Sequence, residues 1–455
     1  MTMWNPVIDR QAGPLYLAIA DAIARDIDEG RLHAGDRLPT QRSLARMLGV
    51  ALTTVTRAYA EAERRRLVSG EVGRGTFIRH LNGGGAAQSV PDVIDFRTNV
   101  LSPLRYGRQL ADDLSRMILE ADPEALLDYH DPTGRPDARN AGAEWARRLG
   151  IEADADRVLV TCGAQHAMTV AFATLARAGD TVLTEWLTYR GMKSLASLLG
   201  LRLRGVPIDE HGVIPEAFRE ACRSTGARVA FCMPTIQNPT TAVMPDARRR
   251  EIAQIAGEYG VTLVEDDSYG FLVQGARPIA ADAPEVVYLT GTSKSLAPGL
   301  RVGFMVAPAG LVDRLAAAIG STTYFAPPAM ASAVAKWTAD GTVDRVNAWK
   351  REEARARQTI ARELLGGLGY HAHPAAHHGW ITLPEPWCTG DFVSQARIRG
   401  VVLSPAEDFT VERSDIPHAV RVSLGPPSTR EELTAGLETL RDALAAPPVP
   451  CSTVA

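Results

Sequence analysis

Lysine is scarce in this 455-residue chain: four lysines and 45 arginines make up its 49 basic residues. Arginine keeps its proton in proteins, whereas lysine can lose a proton and attack a carbonyl carbon. Each remaining lysine is therefore a candidate for chemistry that arginine cannot perform. Lys294 draws most attention, because small hydroxyl residues flank it and Arg301 follows seven positions later, within residues 290–301 (TGTSKSLAPGLR).

Cysteine and long apolar runs are scarce as well. The five cysteines are scattered and odd in number, and their spacing matches neither a zinc site nor a disulfide framework. No run of 18 or more apolar residues occurs, and the first residues lack the basic and apolar segments of a signal peptide. We therefore expect free thiols, no bound metal, no membrane partner and a cytoplasmic location.

Positive charge is concentrated in the N-terminal part of the chain. The net charge is −4, yet residues 31–80 contain ten arginines and four acidic residues, which gives this segment a charge of +6. A basic segment on an acidic body indicates a nucleic-acid partner. The length and the 45% hydrophobic content are typical of a globular protein with two or three domains.

The N-terminal part has the pattern of a winged helix-turn-helix. An apolar residue recurs every four positions across residues 14–29, which predicts an amphipathic helix. We expect Thr40 to cap a short second helix, and Gly49 to turn the chain into a third helix over residues 52–66. Residues 67–78 then form two short strands around glycines, which is the expected wing.

Four motifs in this part resemble the GntR-type DNA-binding domain. They are residues 38–45 (LPTQRSLA), 49–50 (GV), 53–59 (TTVTRAY) and 73–77 (GRGTF). The resemblance implies that the domain binds double-stranded operator DNA. The residues implied to face the DNA are Arg42, Thr53, Thr56, Arg57 and Arg74. An alternative partner for Arg57 is Glu61, four residues later in the same helix.

The sequence predicts four segments. The DNA-binding domain covers residues 1–80, and a glycine-rich, flexible linker covers residues 81–92. A large body follows over residues 93–446, and a disordered proline-rich tail ends the chain over residues 447–455.

The body alternates helical segments with short β-branched runs, which predicts a parallel α/β sheet. The runs that we interpret as buried strands are residues 157–161, 181–184, 229–232, 261–265 and 286–289. Residues 163–167 (GAQHA) follow one strand and open a helix, where backbone N–H groups can bind a phosphate. Asp266 ends another strand, and a carboxylate there is well placed to face a ligand.

Together with residues 234–240 (PTIQNPT), 265–269 (EDDSY) and the Lys294 motif, these loops resemble class I aminotransferases. The resemblance implies a fold-type I aminotransferase-like domain that binds pyridoxal 5'-phosphate (PLP), with Lys294 as the catalytic lysine in a Schiff base with the cofactor. The implied cofactor-binding residues are Ala164, Gln165 and Arg301 for the phosphate, Tyr189 for the ring face, Asn238 and Tyr269 for the ring hydroxyl, and Asp266 for the pyridine nitrogen.

Two further roles are implied by the same resemblance. Tyr129 is expected to reach the phosphate in the neighbouring subunit, and Arg421 is expected to bind a carboxylate of the effector. Asp267 is the alternative to Asp266 at the ring nitrogen, although the spacing to Tyr269 favours Asp266.

Three positions depart from the family pattern. Gly291 lies where a hydroxyl residue usually helps to hold the phosphate, and Thr290 or Thr292 is the expected substitute. Thr241 stands where glycine commonly follows Asn-Pro-Thr, and residues 377–380 (HHGW) replace paired glycines near the carboxylate-binding arginine. These departures concern the shape of the amine pocket more than the binding of the cofactor.

A GntR-type domain followed by an aminotransferase-like body is the layout of MocR-type transcriptional regulators. The resemblance implies a head-to-tail homodimer that senses a small amino compound, or PLP itself, through aldimine chemistry at Lys294. In this hypothesis the body is a sensor and not an enzyme. The hypothesis leaves open whether the body retains residual transaminase activity. The alternatives are an active aminotransferase that carries a DNA-binding domain, and a repressor whose body only dimerises.

Overall fold

A computed structural model describes residues 4, 6, 8, 15–28, 31–32, 36, 38–64, 67–71, 75–78, 93–101, 105–412 and 415–446. The chain divides into two compact units, residues 1–89 and 90–455. The predictions made for Arg74, for the linker over 81–92 and for the tail over 447–455 lie outside the described residues.

The first unit is a three-helix domain with a β-hairpin. Its elements are α1 (Leu15–Asp28), α2 (Gln41–Leu48), α3 (Leu52–Arg64), β1 (Val68–Glu71) and β2 (Gly75–Ile78). The two strands pair antiparallel, as expected for a wing. The predicted winged helix-turn-helix is therefore confirmed, with helix ends within a few residues of those expected.

Local chemistry explains where these helices begin, end and face. The Thr40 side chain accepts a hydrogen bond of 3.2 Å from the Ser43 N–H and so caps α2. Gly49 ends α2 with a φ of 65°, a left-handed conformation that favours glycine. Ile19 and Ile23, from the predicted apolar stripe of α1, are fully buried in the core of the unit.

The second unit contains a main sheet, a smaller sheet and surrounding helices. Its strands are β3 (Ile94–Asp95), β4 (Val158–Thr161), β5 (Thr181–Glu185), β6 (Arg202–Val206), β7 (Ile208–Asp209), β8 (Gly212–Val213), β9 (Val229–Cys232), β10 (Thr262–Asp266), β11 (Val287–Gly291), β12 (Gly303–Val306), β13 (Tyr370–His371), β14 (His378–Thr382), β15 (Val401–Val402), β16 (Ser404–Pro405) and β17 (Ala419–Ser423). Its helices are α4 (Gly107–Glu120), α5 (Pro123–Leu127), α6 (Pro136–Arg148), α7 (Ala164–Leu175), α8 (Arg190–Leu199), α9 (Pro215–Thr225), α10 (Asp246–Tyr259), α11 (Thr292–Ser295), α12 (Val312–Gly320), α13 (Pro328–Ala339), α14 (Thr342–Leu365), α15 (Thr389–Ile398) and α16 (Arg430–Ala445).

The main sheet has seven strands in the order β4-β12-β11-β10-β9-β5-β6. Its strands pair in parallel except for β12, which is antiparallel to both neighbours, β11 and β4. The sequence predicted β4, β5, β9, β10 and β11, but it missed the edge strand β6 and it missed β12 with its direction. Only residues 292–302 connect β11 to β12, and a parallel return needs a crossover of about a dozen residues or more.

The carboxyl ends of the parallel strands position the candidate site. Parallel strands end at the same edge of a sheet, so the loops after β5, β9, β10 and β11 meet there. Strand β10 ends at Asp266, as the sequence predicted for this carboxylate.

The C-terminal part adds a four-stranded antiparallel sheet in the order β13-β14-β17-β16. Arg421 lies in β17 opposite Trp380 of β14, and every residue of β17 is buried. The fully buried Phe96 accepts a hydrogen bond of 2.9 Å at its carbonyl from the Ser423 N–H. This contact brings the segment around residues 93–101 against the smaller sheet. Within the described residues, no helix is long and apolar enough to cross a bilayer.

Candidate functional site

A cavity of about 250 Å³ lies at the carboxyl edge of the main sheet. Nine of the ten residues predicted to hold the cofactor or the effector line it: Ala164, Gln165, Tyr189, Asn238, Asp266, Tyr269, Lys294, Arg301 and Arg421. The tenth residue, Tyr129, lies elsewhere on the surface. The fold thus brings together side chains that are far apart along the chain.

Lys294 lies in the short helix α11, directly after strand β11. Its Nζ donates to the main-chain carbonyl of Asn99 at 2.5 Å. The side chain stays partly accessible because it borders the cavity, but protein surrounds it on its other sides. Burial, and the nearby charges of Arg421 and Arg190, lower the pKa of Lys294 to about 8, while Asp266 opposes the shift. The unprotonated fraction of the amine near neutral pH is therefore larger than for an ordinary lysine.

Asp266 and Asp267 face different surroundings. One carboxylate oxygen of Asp266 accepts hydrogen bonds from the Ser268 N–H at 3.0 Å and the Ser268 hydroxyl at 2.5 Å, and Asp266 lines the cavity. Asp267 instead accepts from the Tyr288 hydroxyl at 3.1 Å, away from the lining residues. The geometry favours Asp266 over Asp267 as the carboxylate for a ligand. Burial raises the pKa of Asp266, and its bonds to Ser268 and the charge of Lys294 act against that shift.

Arg421 lines the cavity and is held by several contacts. Its guanidinium donates to Asn238 Oδ1 at 2.8 Å and to the Arg97 carbonyl at 2.5 Å, and it lies 4.8 Å from the ring centroid of Phe409. Within the described part of the chain, the buried Nε of Arg421 has no hydrogen-bond partner. A buried cation with an unused donor is suited to an anionic group on a ligand.

The start of α7 forms a cradle for an anion. Gly163 precedes the helix with a φ of 88°, and a Cβ there would lie 2.8 Å from a guanidinium nitrogen of Arg301. That guanidinium donates to the Cys162 carbonyl at 2.9 Å and so lies beside the free N–H groups of the first helical turn. A Cβ at Gly291 would lie 3.1 Å from the Ala164 nitrogen, which explains the small residue at this position.

The hydroxyl groups near this cradle differ from the expectation. The Thr290 hydroxyl points to the Asp267 carbonyl at 3.4 Å, and the Thr292 hydroxyl donates to the Val302 carbonyl at 3.0 Å. Neither threonine lines the cavity, whereas Ser293 does. Ser293 is therefore the hydroxyl available to a phosphate, because the turn before Lys294 directs both threonine side chains to main-chain acceptors.

Asn99 and His378 are two site residues that the motifs did not indicate. Asn99 Nδ2 donates to the Tyr269 hydroxyl at 2.7 Å and lies 2.8 Å from His378 Nδ1. Burial, together with the charge of Arg421, lowers the pKa of His378 well below its ordinary value, so the imidazole is neutral. The departure at residues 377–380 was the only sequence signal for this contact, and Asn99 offered none.

Thr241 shows why glycine is common at its position. Its φ of 66° lies in the left-handed region, which costs a residue with a side chain about 1–2 kcal/mol. The Thr241 hydroxyl accepts a hydrogen bond of 2.8 Å from the His373 N–H, which offsets part of this cost.

The cavity is strongly cationic. Lys294, Arg97, Arg190, Arg301 and Arg421 line it, and Asp266 is the carboxylate among the described lining residues. Arg97 forms an ion pair of 2.7 Å with Asp95 outside the lining, which reduces its contribution. The remaining excess of positive charge favours anionic ligands.

Tyr129 lies in an exposed apolar area outside the cavity. Its side chain is 78% exposed and makes edge-to-face contacts with Tyr324, at 5.3 Å between ring centroids, and with Phe325, at 6.1 Å. Other large exposed apolar side chains of α4, α5 and this region are Ile118, Leu119, Leu127 and Tyr324. We refer to Ile118, Leu119, Leu127, Tyr129 and Tyr324 as the apolar group.

Four of the five predicted DNA-facing residues lie on α2 and α3. Arg42 and Thr53 are exposed, as is Thr56, whose hydroxyl donates to Gln41 Oε1 at 2.8 Å and so links the two helices. The Arg57 guanidinium lies 4.4 Å from the ring centroid of Tyr16, which gives it a cation–π contact within the unit. Arg74 is outside the described residues.

The residues around the cavity fit PLP. The glycine cradle at the start of α7 suits a phosphate, the buried Asp266 suits a ring nitrogen, and Tyr189 presents an aromatic face. A lysine with a lowered pKa suits a reactive aldehyde.

Two protein families match the chain. The family "Aminotransferase class I and II" matches residues 91–440, which is most of the chain, and the family "Bacterial regulatory proteins, gntR family" matches residues 15–78. Aminotransferases of this class depend on PLP, so the family implies this cofactor.

Relatives share this architecture over nearly their full length. The chain is 29% identical over 443 residues to YdeF of Bacillus subtilis (strain 168), an uncharacterised HTH-type transcriptional regulator, with 96% of each chain covered. It is 27% identical to the HTH-type transcriptional regulator TauR of Rhodobacter capsulatus, covering 94% of this chain and 97% of TauR.

The large unit also resembles solved aminotransferases. LysN, the α-aminoadipate aminotransferase of Thermus thermophilus, superposes with a TM-score of 0.70 at 26% identity, covering 78% of this chain and 92% of LysN. The fold and the family match both indicate an aminotransferase-like body, and the relatives share this body together with the gntR-type domain. The chain therefore belongs to the aminotransferase class I and II family and, with its gntR-family domain, is a transcriptional regulator of the MocR type.

Proposed function

We propose that this protein is a PLP-dependent regulator that binds operator DNA through its first unit and senses a small amino compound, or PLP itself, at Lys294. The observation that carries this proposal is the convergence of Lys294, Asp266, Arg301 and Arg421 on one cavity. A chain that retained this body only for dimerisation would have no need of that convergence.

The cofactor-binding residues have distinct roles. Ala164, Gln165 and Arg301 bind the phosphate at the start of α7, where backbone N–H groups and a guanidinium favour an anion. Asp266 holds a proton at the ring nitrogen, and Tyr189 covers one face of the ring. When bound, PLP supplies an aldehyde that condenses with amines and a ring that withdraws electrons.

Asn238 and Tyr269 complete this set by binding the ring oxygen. Asn238 Oδ1 already accepts from Arg421, so its amide nitrogen is the group that remains to donate to a ligand. The Tyr269 hydroxyl accepts from Asn99, which leaves its own proton free to donate. Asn238 therefore links the cofactor position to Arg421. Asn99 links it to Lys294, because the main-chain carbonyl of Asn99 accepts a hydrogen bond from the Lys294 amine.

The effector is an amine that carries an anionic group. Arg421 is buried with an unused donor, and Arg190 adds positive charge at the cavity lining. An amine with a carboxylate or sulfonate matches both the cation and the amine-reactive centre. Such an effector regulates DNA binding only through its different affinities for two states of the protein.

The protein acts as a homodimer, with its two subunits head to tail. The exposed apolar side chains of the apolar group (Ile118, Leu119, Leu127, Tyr129 and Tyr324) support an interface in this region. In this arrangement Tyr129 reaches the phosphate of the neighbouring subunit.

An active aminotransferase that carries a DNA-binding domain is the second candidate. Eight of the nine residues predicted to bind the cofactor line the cavity, among them Lys294 and Asp266, and this favours it. The regulators YdeF and TauR match 96% and 94% of the chain, and this match favours the sensor.

The cofactor assignment is tested by reductive trapping. Borohydride treatment of the PLP-loaded chain should attach the cofactor to the peptide with Lys294, and Lys294→Ala should lose the visible absorption band while Lys336→Ala, at an exposed lysine, keeps it. Circular dichroism checks that both variants fold. A visible spectrum unchanged in Lys294→Ala, or trapping at another lysine, would overturn the assignment.

A further inference from the structure

A second buried lysine lies directly behind Lys294. Lys350, on helix α14, has no exposed surface, and its Nζ donates to the main-chain carbonyls of Lys294 and Leu296 at 2.8 Å each. The two lysines are 56 residues apart along the chain. Two of the four lysines of this chain therefore meet at one turn, although arginine replaces lysine almost everywhere else.

The turn that carries Lys294 depends on this contact. Helix α11 has four residues and ends at Ser295; Leu296 follows it with a φ of −113° and a ψ of −89°, which are not helical. The last carbonyls of a helix have no partners within the helix, and buried carbonyls need a donor. The Lys350 amine donates to the carbonyls of Lys294 and Leu296, the residues before and after Ser295. Because one of the two carbonyls belongs to Lys294 itself, the contact fixes the direction in which the Lys294 side chain leaves the main chain.

The charges around the two amines explain why lysine suits this position. Lys294 is near Arg421, Arg190 and Asp266, while Lys350 is near Lys294 and the buried His377. Burial and the neighbouring Lys294 lower the pKa of Lys350 to about 7. An uncharged amine still has two N–H groups for the two carbonyls, whereas arginine would bring a permanent charge to a buried place.

We propose that Lys350 is a positioning residue for Lys294: by holding the carbonyls of Lys294 and Leu296, its amine fixes the turn that points the Lys294 amine into the cavity. This inference deepens the proposed function and rests on it for the role of Lys294. Loss of Lys350 frees the turn and admits water to the Lys294 amine. Because burial is the main cause of the lowered pKa of Lys294, the freed amine binds its proton more tightly.

The test measures the titration of individual lysines in the full-length chain without cofactor. The chain is first dialysed against hydroxylamine, and then labelled by reductive methylation between pH 6 and pH 10. Peptide mass spectrometry separates the four lysines, with the exposed Lys336 as the internal reference. The variants are Lys350→Met, which removes both donors, and Lys350→Gln, which keeps an amide donor.

The matched control is Lys193→Met. Lys193 also bridges two main-chain carbonyls, those of Glu407 and Asp408, at 2.9 Å and 3.1 Å, but it does not touch the turn of Lys294. In Lys350→Met the labelling midpoint of Lys294 should rise by about one pH unit, which is a tenfold loss of free amine below the midpoint. Lys350→Gln should show a smaller rise, and Lys193→Met should show none.

An unchanged midpoint of Lys294 in folded Lys350→Met, or an equal rise in Lys193→Met, would overturn the proposal. If Lys350→Met does not fold, Lys350→Gln tests the proposal instead, and an unchanged labelling midpoint of Lys294 in that variant would overturn it. The wild-type protein also tests the proposal without any variant. If Lys350 were labelled as fast as Lys336 in the folded chain, the buried contact would be contradicted. These labelling midpoints are measured without PLP. A failure of PLP to bind would therefore contradict the proposed function but would not affect the test of Lys350.

Discussion

At the scale of single residues, the site is dominated by ionisable groups that have lost their water. Lys350 and Arg421 are almost completely buried, and so is Glu185, the last residue of β5. One oxygen of Glu185 accepts a hydrogen bond of 2.8 Å from the Met233 N–H. Burial raises the pKa of Glu185 to about 8, although its hydrogen bonds act in the opposite direction.

Glu185→Gln should therefore change how stability depends on pH. The folded wild type keeps a proton on Glu185 up to about pH 8, whereas the unfolded chain releases it near its ordinary value of 4.5. The unfolded state thus binds fewer protons between these values, and stability falls as the pH rises, by at most about 1.4 kcal/mol per pH unit. Glutamine has no such loss, so the variant should gain stability relative to the wild type from pH 5 to pH 8.

Urea unfolding of the large unit at pH 5.5, 6.5 and 7.5 measures this difference. Glu438→Gln, at an exposed position, is the matched control and should follow the wild type. A stability difference between Glu185→Gln and the wild type that stays constant with pH would show that Glu185 is charged when buried.

Sequence reasoning located the residues whose roles are local. Lys294 and Asp266 each lie in a short motif at the end of a strand, so the pattern of the chain is enough to place them at the sheet edge. Asn99 and Lys350 act through contacts with residues more than 50 positions away, and nothing in their own neighbourhoods indicates this. Such contacts depend on how helices and sheets pack, which a single sequence does not specify.

At the scale of elements, helices α2 and α3 form the proposed contact with DNA. Arg42 is exposed on α2, and the bond from Thr56 to Gln41 holds α3 against it. The cap at Thr40 and the left-handed Gly49 set the ends of α2, and both followed from the sequence because caps are local signals. The antiparallel strand β12 was not predicted, because its direction depends on the short connection from β11.

Arg42→Ala should weaken operator binding by about 1–3 kcal/mol if the guanidinium contacts a base edge. The measurement is a binding titration with a duplex that the full-length chain has selected from a random pool. Arg25→Ala is the matched control, because it removes the same charge from an exposed position on α1. Equal losses in the two variants would mean that Arg42 contributes only general charge, and an unaltered affinity would remove it from the interface.

At the scale of the whole molecule, the proposed dimer depends on the apolar group around α4 and α5. Leu127 is 85% exposed in the single chain, so Leu127→Asp should bury a charge in the dimer while leaving the subunit fold unaffected. The mass in solution should fall from twice 48.9 kDa towards that of one chain. Light scattering after gel filtration measures it.

Ile398→Asp is the control for this variant, since Ile398 is 78% exposed on α15, outside the apolar group. It should keep the dimer mass. A dimer that survives in Leu127→Asp, or one that is lost equally in Ile398→Asp, would place the interface elsewhere. From sequence alone, only the family resemblance indicates a dimer, because exposed apolar groups appear only once the chain is folded.

We propose that the protein uses amine recognition at Lys294 for sensing. The most direct test is an absorption titration of the PLP-loaded chain with a panel of amines that carry carboxylates or sulfonates, with DNA affinity and keto products measured in the same samples. We predict that one class of amine changes both the visible spectrum and the DNA affinity, without turnover to a keto product. Continuous release of a keto product with unchanged DNA affinity would contradict the account and identify the protein as an aminotransferase.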